Sequence, residues 1–172
     1  MNKVIISQLN PEEWRKYKDI RLKALKTNPT AFLNTYADAL TYPDEKWRTQ
    51  LEQSQKGEEI RILFAKDDEK IIGMNAFHWS PKPVIKHIAQ IFGVFISPEY
   101  RGQGVGRILM QEVISEIKKN PQFIKITLGV NAENSSALKL YESCGFKVVG
   151  KHAKELKFGE KFCDELMMEM ML

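Results

Sequence analysis

Residues 101–107 read Arg101-Gly102-Gln103-Gly104-Val105-Gly106-Arg107, with three glycines at alternate positions between two arginines. The apolar run Val94-Phe95-Ile96 and then Pro98 precede it, and a helical pattern follows. That order is a strand, a turn and a helix N-terminus. Such a turn offers several backbone N–H groups and the positive end of a helix dipole to an anion. Glycines keep side chains out of the path of a phosphate. The chemistry expected here is capture of a phosphate-bearing ligand by main-chain amides.

Other residues suggest proton chemistry. Tyr141 follows Asn134 by two helical turns, so the two share a face. Asn134 is also a natural helix N-cap. Gln90 lies on the strand before the glycine loop. It can hold a water or orient an amine, but it cannot take a full proton. His78, His87 and Glu133 are proton acceptors by side-chain chemistry alone.

Spacing narrows the ligand. A P-loop requires Lys-Ser or Lys-Thr after its last glycine, and here Gly106 is followed by Arg107-Ile108. A dinucleotide loop requires G-x-G-x-x-G near the start of the fold, and this loop is G-x-G-x-G and lies late.

Arg101-Gly102-Gln103-Gly104-Val105-Gly106 resembles the R/Q-x-x-G-x-G/A signature of the GNAT superfamily of acyl-CoA-dependent N-acetyltransferases. A second block, from Asn134 through Ala137 and Tyr141 to Gly145-Phe146, is similar to that family's N-x-x-A-x-x-x-Y-x-x-x-G-F pattern. The resemblance is strongest over residues 87–149. It implies that acetyl-CoA is the co-substrate, with no metal. The pyrophosphate would rest on the amides of Arg101, Gly102, Gln103, Gly104, Val105, Gly106 and Arg107. Backbone groups near Val94, Phe95 and Ile96 would pair with the pantetheine amides. The N–H of Phe95 or Val94 would polarise the thioester carbonyl. Asn134 would contact the pantetheine arm, and Tyr141 would protonate the departing thiolate. Related sequences often carry a glutamate where this chain has Gln90, so the general base is left open.

The elements that must position these residues can be read from periodicity. Residues 4–9 predict a strand, and Asn10-Pro11-Glu12-Glu13 starts a helix to about residue 26. Residues 32–40 are ambiguous, and a further helix runs from residue 43 to about residue 57. Residues 60–66 and 71–79 predict a hairpin. Residues 87–96 are apolar on both alternations and predict a central strand buried on two faces. Residues 104–119 predict a helix with Val105, Ile108, Leu109, Val113 and Ile117 inward. A strand at 124–130 and a helix at 135–143 follow. Two last strands, 146–149 and 164–171, are separated by a polar link at 151–161. The fold class is α/β: a mixed, mostly antiparallel sheet of about seven strands flanked by helices. By resemblance it splays at the central strands. One domain over residues 1–172 is expected.

Composition agrees with a packed domain. Hydrophobic residues make up 43% and aromatic residues 10%, ample for a core. The net charge of +4 is dispersed, so no nucleic-acid partner is expected. No apolar run approaches the ~18 residues of a membrane span, and the apolar start of residues 1–7 is too short for a signal peptide. Cys144 and Cys163 have neither metal nor disulfide spacing, which suits the cytoplasm.

The implied reaction is direct attack of a primary amine on the thioester in a ternary complex. A small-molecule acceptor is preferred. A protein lysine or N-terminus, and a non-catalytic acyl-CoA sensor, are the alternatives. Phe32, Tyr36, Trp47, Trp79 and Phe158 are candidate walls of the acceptor pocket, with Arg21 and Glu155 as candidate contacts. The apolar run Leu166, Met167, Met168, Met170 and Met171 suits either a homodimer contact or burial in the chain's own sheet.

Overall fold

The computed structural model describes residues 4–172; Met1, Asn2 and Lys3, part of the predicted apolar start, lie outside the described residues. The strands are β1 (Ile5–Ser7), β2 (Ile60–Asp67), β3 (Lys70–Trp79), β4 (Ile88–Ile96), β5 (Lys125–Asn131), β6 (Lys147–Phe158) and β7 (Lys161–Met171). The helices are α1 (Trp14–Thr27), α2 (Tyr36–Leu40), α3 (Asp44–Lys56), α4 (Val105–Lys118) and α5 (Ser135–Ser143). The strands form one seven-stranded sheet in the order β1-β2-β3-β4-β5-β7-β6. Only the β4–β5 pair is parallel.

Two apolar clusters sandwich this sheet. On one face α1 and α3 bring Trp14, Tyr17, Ile20, Leu25, Trp47 and Leu51 against Phe64 and Met74. Tyr17 meets Trp47 and Phe64 edge-on, at 5.4 and 5.6 Å between ring centroids. On the other face α4 packs Leu109, Met110, Val113 and Ile117 onto Ile72, Ile126 and Leu128. Ile108, predicted to face inward, is instead 43% exposed, and Met110 and Ile114 fill the stripe. The inward stripe of α4 therefore runs through 105, 109, 113 and 117 with 110 and 114 beside it.

The sheet opens at its centre. Strands β4 and β5 pair only through Ile88 with Lys125, Ala89 with Ile126, and Gln90 with Thr127. Beyond Gln90, β4 stays with β3 while β5 continues along β7 as far as Asn131. A bulge marks the departure: Gly93 and Val94 together oppose Asn75 of β3. Gly93 has φ +68°, a conformation that bends the strand and that side chains resist.

Two expectations are corrected here. Strand β4 is not buried on both faces: Gln90 is exposed and Phe92 is 40% exposed. They stand where the sheet opens and helices do not cover it. The polar link at 151–161 is mostly strand. β6 runs to Phe158 and turns at Gly159-Glu160 into β7. An irregularity between His152 and Leu156 breaks the alternation that would have revealed it. There the carboxylate of Asp164 accepts from the Lys154 N–H at 2.8 Å and from Lys151 Nζ at 2.9 Å. Strand β7 is paired on both sides, and Met168 is buried within the sheet.

Candidate active site

The opening between β4 and β5 is the floor of a cleft of about 590 Å³. Its walls come from β4, the glycine loop, β5, the start of α5, residues 28–34, and the β6–β7 hairpin.

The glycine loop sits at one end. Gly102 and Gly104 have φ +72° and +81°, and a Cβ at either would meet nothing within 4 Å. Conformation, not crowding, therefore requires glycine there. Gly104 is the N-cap of α4, so the first N–H groups of this helix have no intrahelical acceptor. Among the described residues, nothing accepts from the N–H groups of Gly102, Gln103 or Gly104. Gly102, Gly104, Gly106 and Arg107 line the cleft; Gln103 and buried Val105 contribute main chain to the loop but no lining side chain. The array is thus a set of convergent, unsatisfied donors at a helix N-terminus, which fits a pyrophosphate.

Side chains hold this loop in place. Arg101 Nε donates to the Ile96 carbonyl at 2.9 Å, and Nη2 donates to Asn28 Oδ1 at 2.6 Å. Gln103 Nε2 donates to the Glu99 carbonyl at 2.9 Å. Glu99 pairs with Lys23 at 2.8 Å and Lys70 at 3.4 Å. Its hydrogen bond from Lys23 is the main cause that lowers its pKa to about 2. The Arg101 guanidinium is therefore committed to two protein acceptors, one of them on the segment after α1.

The middle of the cleft holds the second block. Asn134 caps α5: its Oδ1 accepts from the Ala137 N–H at 3.2 Å and from Ser136 Oγ at 3.0 Å. Its Nδ2 hydrogens are the donors left for a ligand. Tyr141, two turns on, also lines the cleft, as the shared face predicted. It is buried, and burial pushes its phenol well above the ordinary value. The group is thus held protonated at neutral pH. Cys144, beside it, is likewise raised by burial and suits no thiolate chemistry.

Gln90, Val94, Phe95 and Ile96 also line the cleft. Among the candidate bases, Glu133 is exposed and tied to Lys161 at 2.6 Å. His87 precedes β4, where its carbonyl accepts from the Ile124 N–H at 3.1 Å. His78 pairs with Gln90 across β3–β4 and stacks edge-on with Phe92 at 5.4 Å. Burial lowers its pKa, so the imidazole is neutral at pH 7. None of these three bases lines the cleft.

Sequence reasoning missed Glu165, the one carboxylate in the cleft wall among the described residues. It lies over Gly129 of β5, where any Cβ would collide with its carboxylate. An isolated glycine inside the otherwise regular strand 125–131 was the available signal of such a close approach. Of the predicted acceptor walls, Phe32 and Phe158 line the cleft. Trp47 and Arg21 line a smaller neighbouring cavity, and Arg21 lines both. Three predictions are corrected. Trp79 is packed against Phe77 and Phe123 at 5.8 and 5.5 Å, Tyr36 packs on the α1–α3 cluster, and exposed Glu155 touches neither space.

A cleft splayed between parallel strands, with free helix-terminal amides at one end and a buried tyrosine along it, suits an extended phosphate-bearing ligand. The sequence profile of the Acetyltransferase (GNAT) family matches residues 23–146, and the chain belongs to that family. The chain is 29% identical over 150 residues to the L-amino acid N-acetyltransferase AaaT of Escherichia coli (strain K12), covering 86% of this chain and 88% of that protein. It spans only 50% and 36% of the length of two other curated relatives. The fold matches a GNAT-family acetyltransferase from Streptococcus pneumoniae with a TM-score of 0.90 at 20% identity, over 99% of this chain and 100% of that one. It also matches yncA from Salmonella typhimurium, solved with its cofactor acetyl-CoA, at a TM-score of 0.84 and 18% identity, over 99% and 94% of the two chains.

Proposed function

We propose that the protein is a single-domain, acetyl-CoA-dependent N-acetyltransferase that acts on the primary amine of a small molecule. One observation carries this reading: the free loop amides, the edge of β4 that beyond Gln90 no longer pairs with β5, and the buried Tyr141 phenol all open into one cleft. Family membership and the printed activity of AaaT support it. The same reading assigns it to the cytoplasm, with both cysteines as free thiols.

When bound, acetyl-CoA supplies an activated acetyl thioester. The residues present suit it. The loop amides would hold its pyrophosphate, and the exposed β4 backbone would pair with its amide arm as an added strand would. A backbone N–H of Val94 or Phe95 would stabilise negative charge on the carbonyl oxygen. The acceptor must attack as the neutral amine, and its proton must leave. Glu165 is the proton acceptor that this reading favours, with Gln90 orienting the amine. Tyr141, kept protonated by burial, would give its proton to the sulfur as the carbon–sulfur bond breaks.

Calorimetry with acetyl-CoA, followed by CoA release across a panel of amines, tests this. Tyr141→Phe is expected to keep acetyl-CoA affinity and lose roughly a hundredfold in kcat, within the usual range for a general acid. Binding without release to any amine would instead mark a sensor. Release only to peptide amines would mark a protein acetyltransferase.

A further inference from the structure

Beside the cleft, under α1 and α3, lies a second cavity of about 120 Å³. The two spaces share Arg21, Asn34, Phe92 and Gly93 as walls, so they meet at the β4 bulge. Much of the cavity is apolar, with Leu25, Ile62 and Met74 in its lining.

Its unpartnered buried polar atoms are two donors and one acceptor, the last being Asn75 Oδ1 of β3. Arg21 Nη1 and Trp47 Nε1 are both buried donors with no hydrogen-bond partner, and both residues line this cavity. A Cβ at Gly93 would stand 3.9 Å from Arg21 Nη1, so the guanidinium reaches the bulge. Its flat face packs on Phe32, 4.7 Å from the ring centroid. Lys46 adds a second positive charge to the lining, over the ring of Tyr42. No carboxylate lines the cavity among the described residues. The other groups facing Arg21 are the Tyr17 and Tyr42 phenols. Burial presses on the Arg21 charge, yet a guanidinium does not give up its proton in a protein.

An unpaired buried cation is costly, and an arginine fork is shaped for a carboxylate. We infer that this cavity receives the carboxylate of an acceptor that carries both an acid and a primary amine, an amino acid in its simplest form. The inference rests on the small-molecule reading above and narrows it. Arg21, with Trp47, anchors the acid, apolar side-chain atoms fill the remaining space, and the amine is left at the bulge facing the cleft. Polyamines, which bring only positive charge, are disfavoured at a site lined by Arg21 and Lys46.

The test compares acids with the amines they become on losing the carboxylate: leucine against isoamylamine, phenylalanine against phenethylamine, with spermidine as a cationic comparator. The wild type is expected to favour the acids by at least ~10-fold in kcat/KM. A charge-assisted hydrogen bond corresponds to about 10- to 100-fold. Arg21→Met is expected to remove that preference, chiefly by raising KM for the acids, and Arg21→Lys to restore it in part. A thermal melt and CoA calorimetry show whether each variant is folded. A wild type that favours isoamylamine, phenethylamine or spermidine overturns the inference and leaves the small-molecule reading standing. Acetylation of peptides alone overturns both. A folded Arg21→Met that still prefers the acids shows that Arg21 is not the anchor.

Discussion

The glycine-loop end of the cleft and the cavity beneath α1 and α3 recognise by different means. The loop offers main-chain donors whose positions depend on backbone dihedrals, +72° at Gly102 and +81° at Gly104. The cavity offers side-chain donors, Arg21 and Trp47, brought together from two helices. The first depends on the absence of side chains over a few consecutive residues. The second depends on tertiary packing. A main-chain site can be broken by one substitution but not readily retuned to another ligand by one, which suits a co-substrate shared across a family. A side-chain site can be changed by a single substitution and suits an acceptor that differs among members.

The most damaging substitution should fall on the main-chain side. Gly104→Val places a β-branched residue at φ +81° and projects it into open cleft. Acetyl-CoA affinity is expected to fall roughly a hundredfold, the loss of two or so hydrogen bonds to charged groups. Calorimetry reads this directly, and unchanged affinity would break the contrast. Next, Arg21→Met should act on the acceptor KM and not on acetyl-CoA binding, which separates the two regions kinetically.

Smaller effects sharpen the boundary. Asn134→Ala removes the cap of α5, at about 1 kcal/mol. For a chain of this size that lowers Tm by about 2–4 °C, measurable by calorimetric melting. Acetyl-CoA KM should rise in parallel if the side chain also serves the ligand. The smallest effect concerns Glu99. Its folded pKa of about 2 lies below the ordinary 4.5. It therefore contributes stability that is present above about pH 4.5 and is lost as pH falls towards 2. Glu99→Gln should lower Tm slightly at neutral pH, with the difference from wild type shrinking as pH falls from about 4.5 towards 2, as thermal melts across that range would show.

The same contrast explains what could be read without coordinates. The loop, Asn134 and Tyr141 form two contiguous blocks with fixed spacing, and each falls on the element its periodicity indicates. The positions of the strands up to β5 were legible from apolar runs or alternation bounded by turn residues. Three features were not legible. The β6 extension was masked by the irregularity between His152 and Leu156, which breaks period-two alternation. The Gly93–Val94 bulge left no signature beyond one glycine in an apolar run, so the openness of Gln90 and Phe92 was missed. Glu165, and the cavity around Arg21 though Arg21 itself was a candidate contact, depend on neighbours far away in sequence: Gly129 beneath one, Phe32 and Gly93 beside the other. Long-range packing of this kind is not visible in a local pattern.

The central claim is that unsatisfied loop amides, together with the edge of β4 that no longer pairs with β5, bind acetyl-CoA. Amide chemical shifts followed by NMR during a CoA titration test it most directly. Saturable shifts at Gly102, Gly104, Gly106, Val94 and Phe95 are the predicted result. Shifts confined to other elements, with these amides unmoved at saturation, would contradict it.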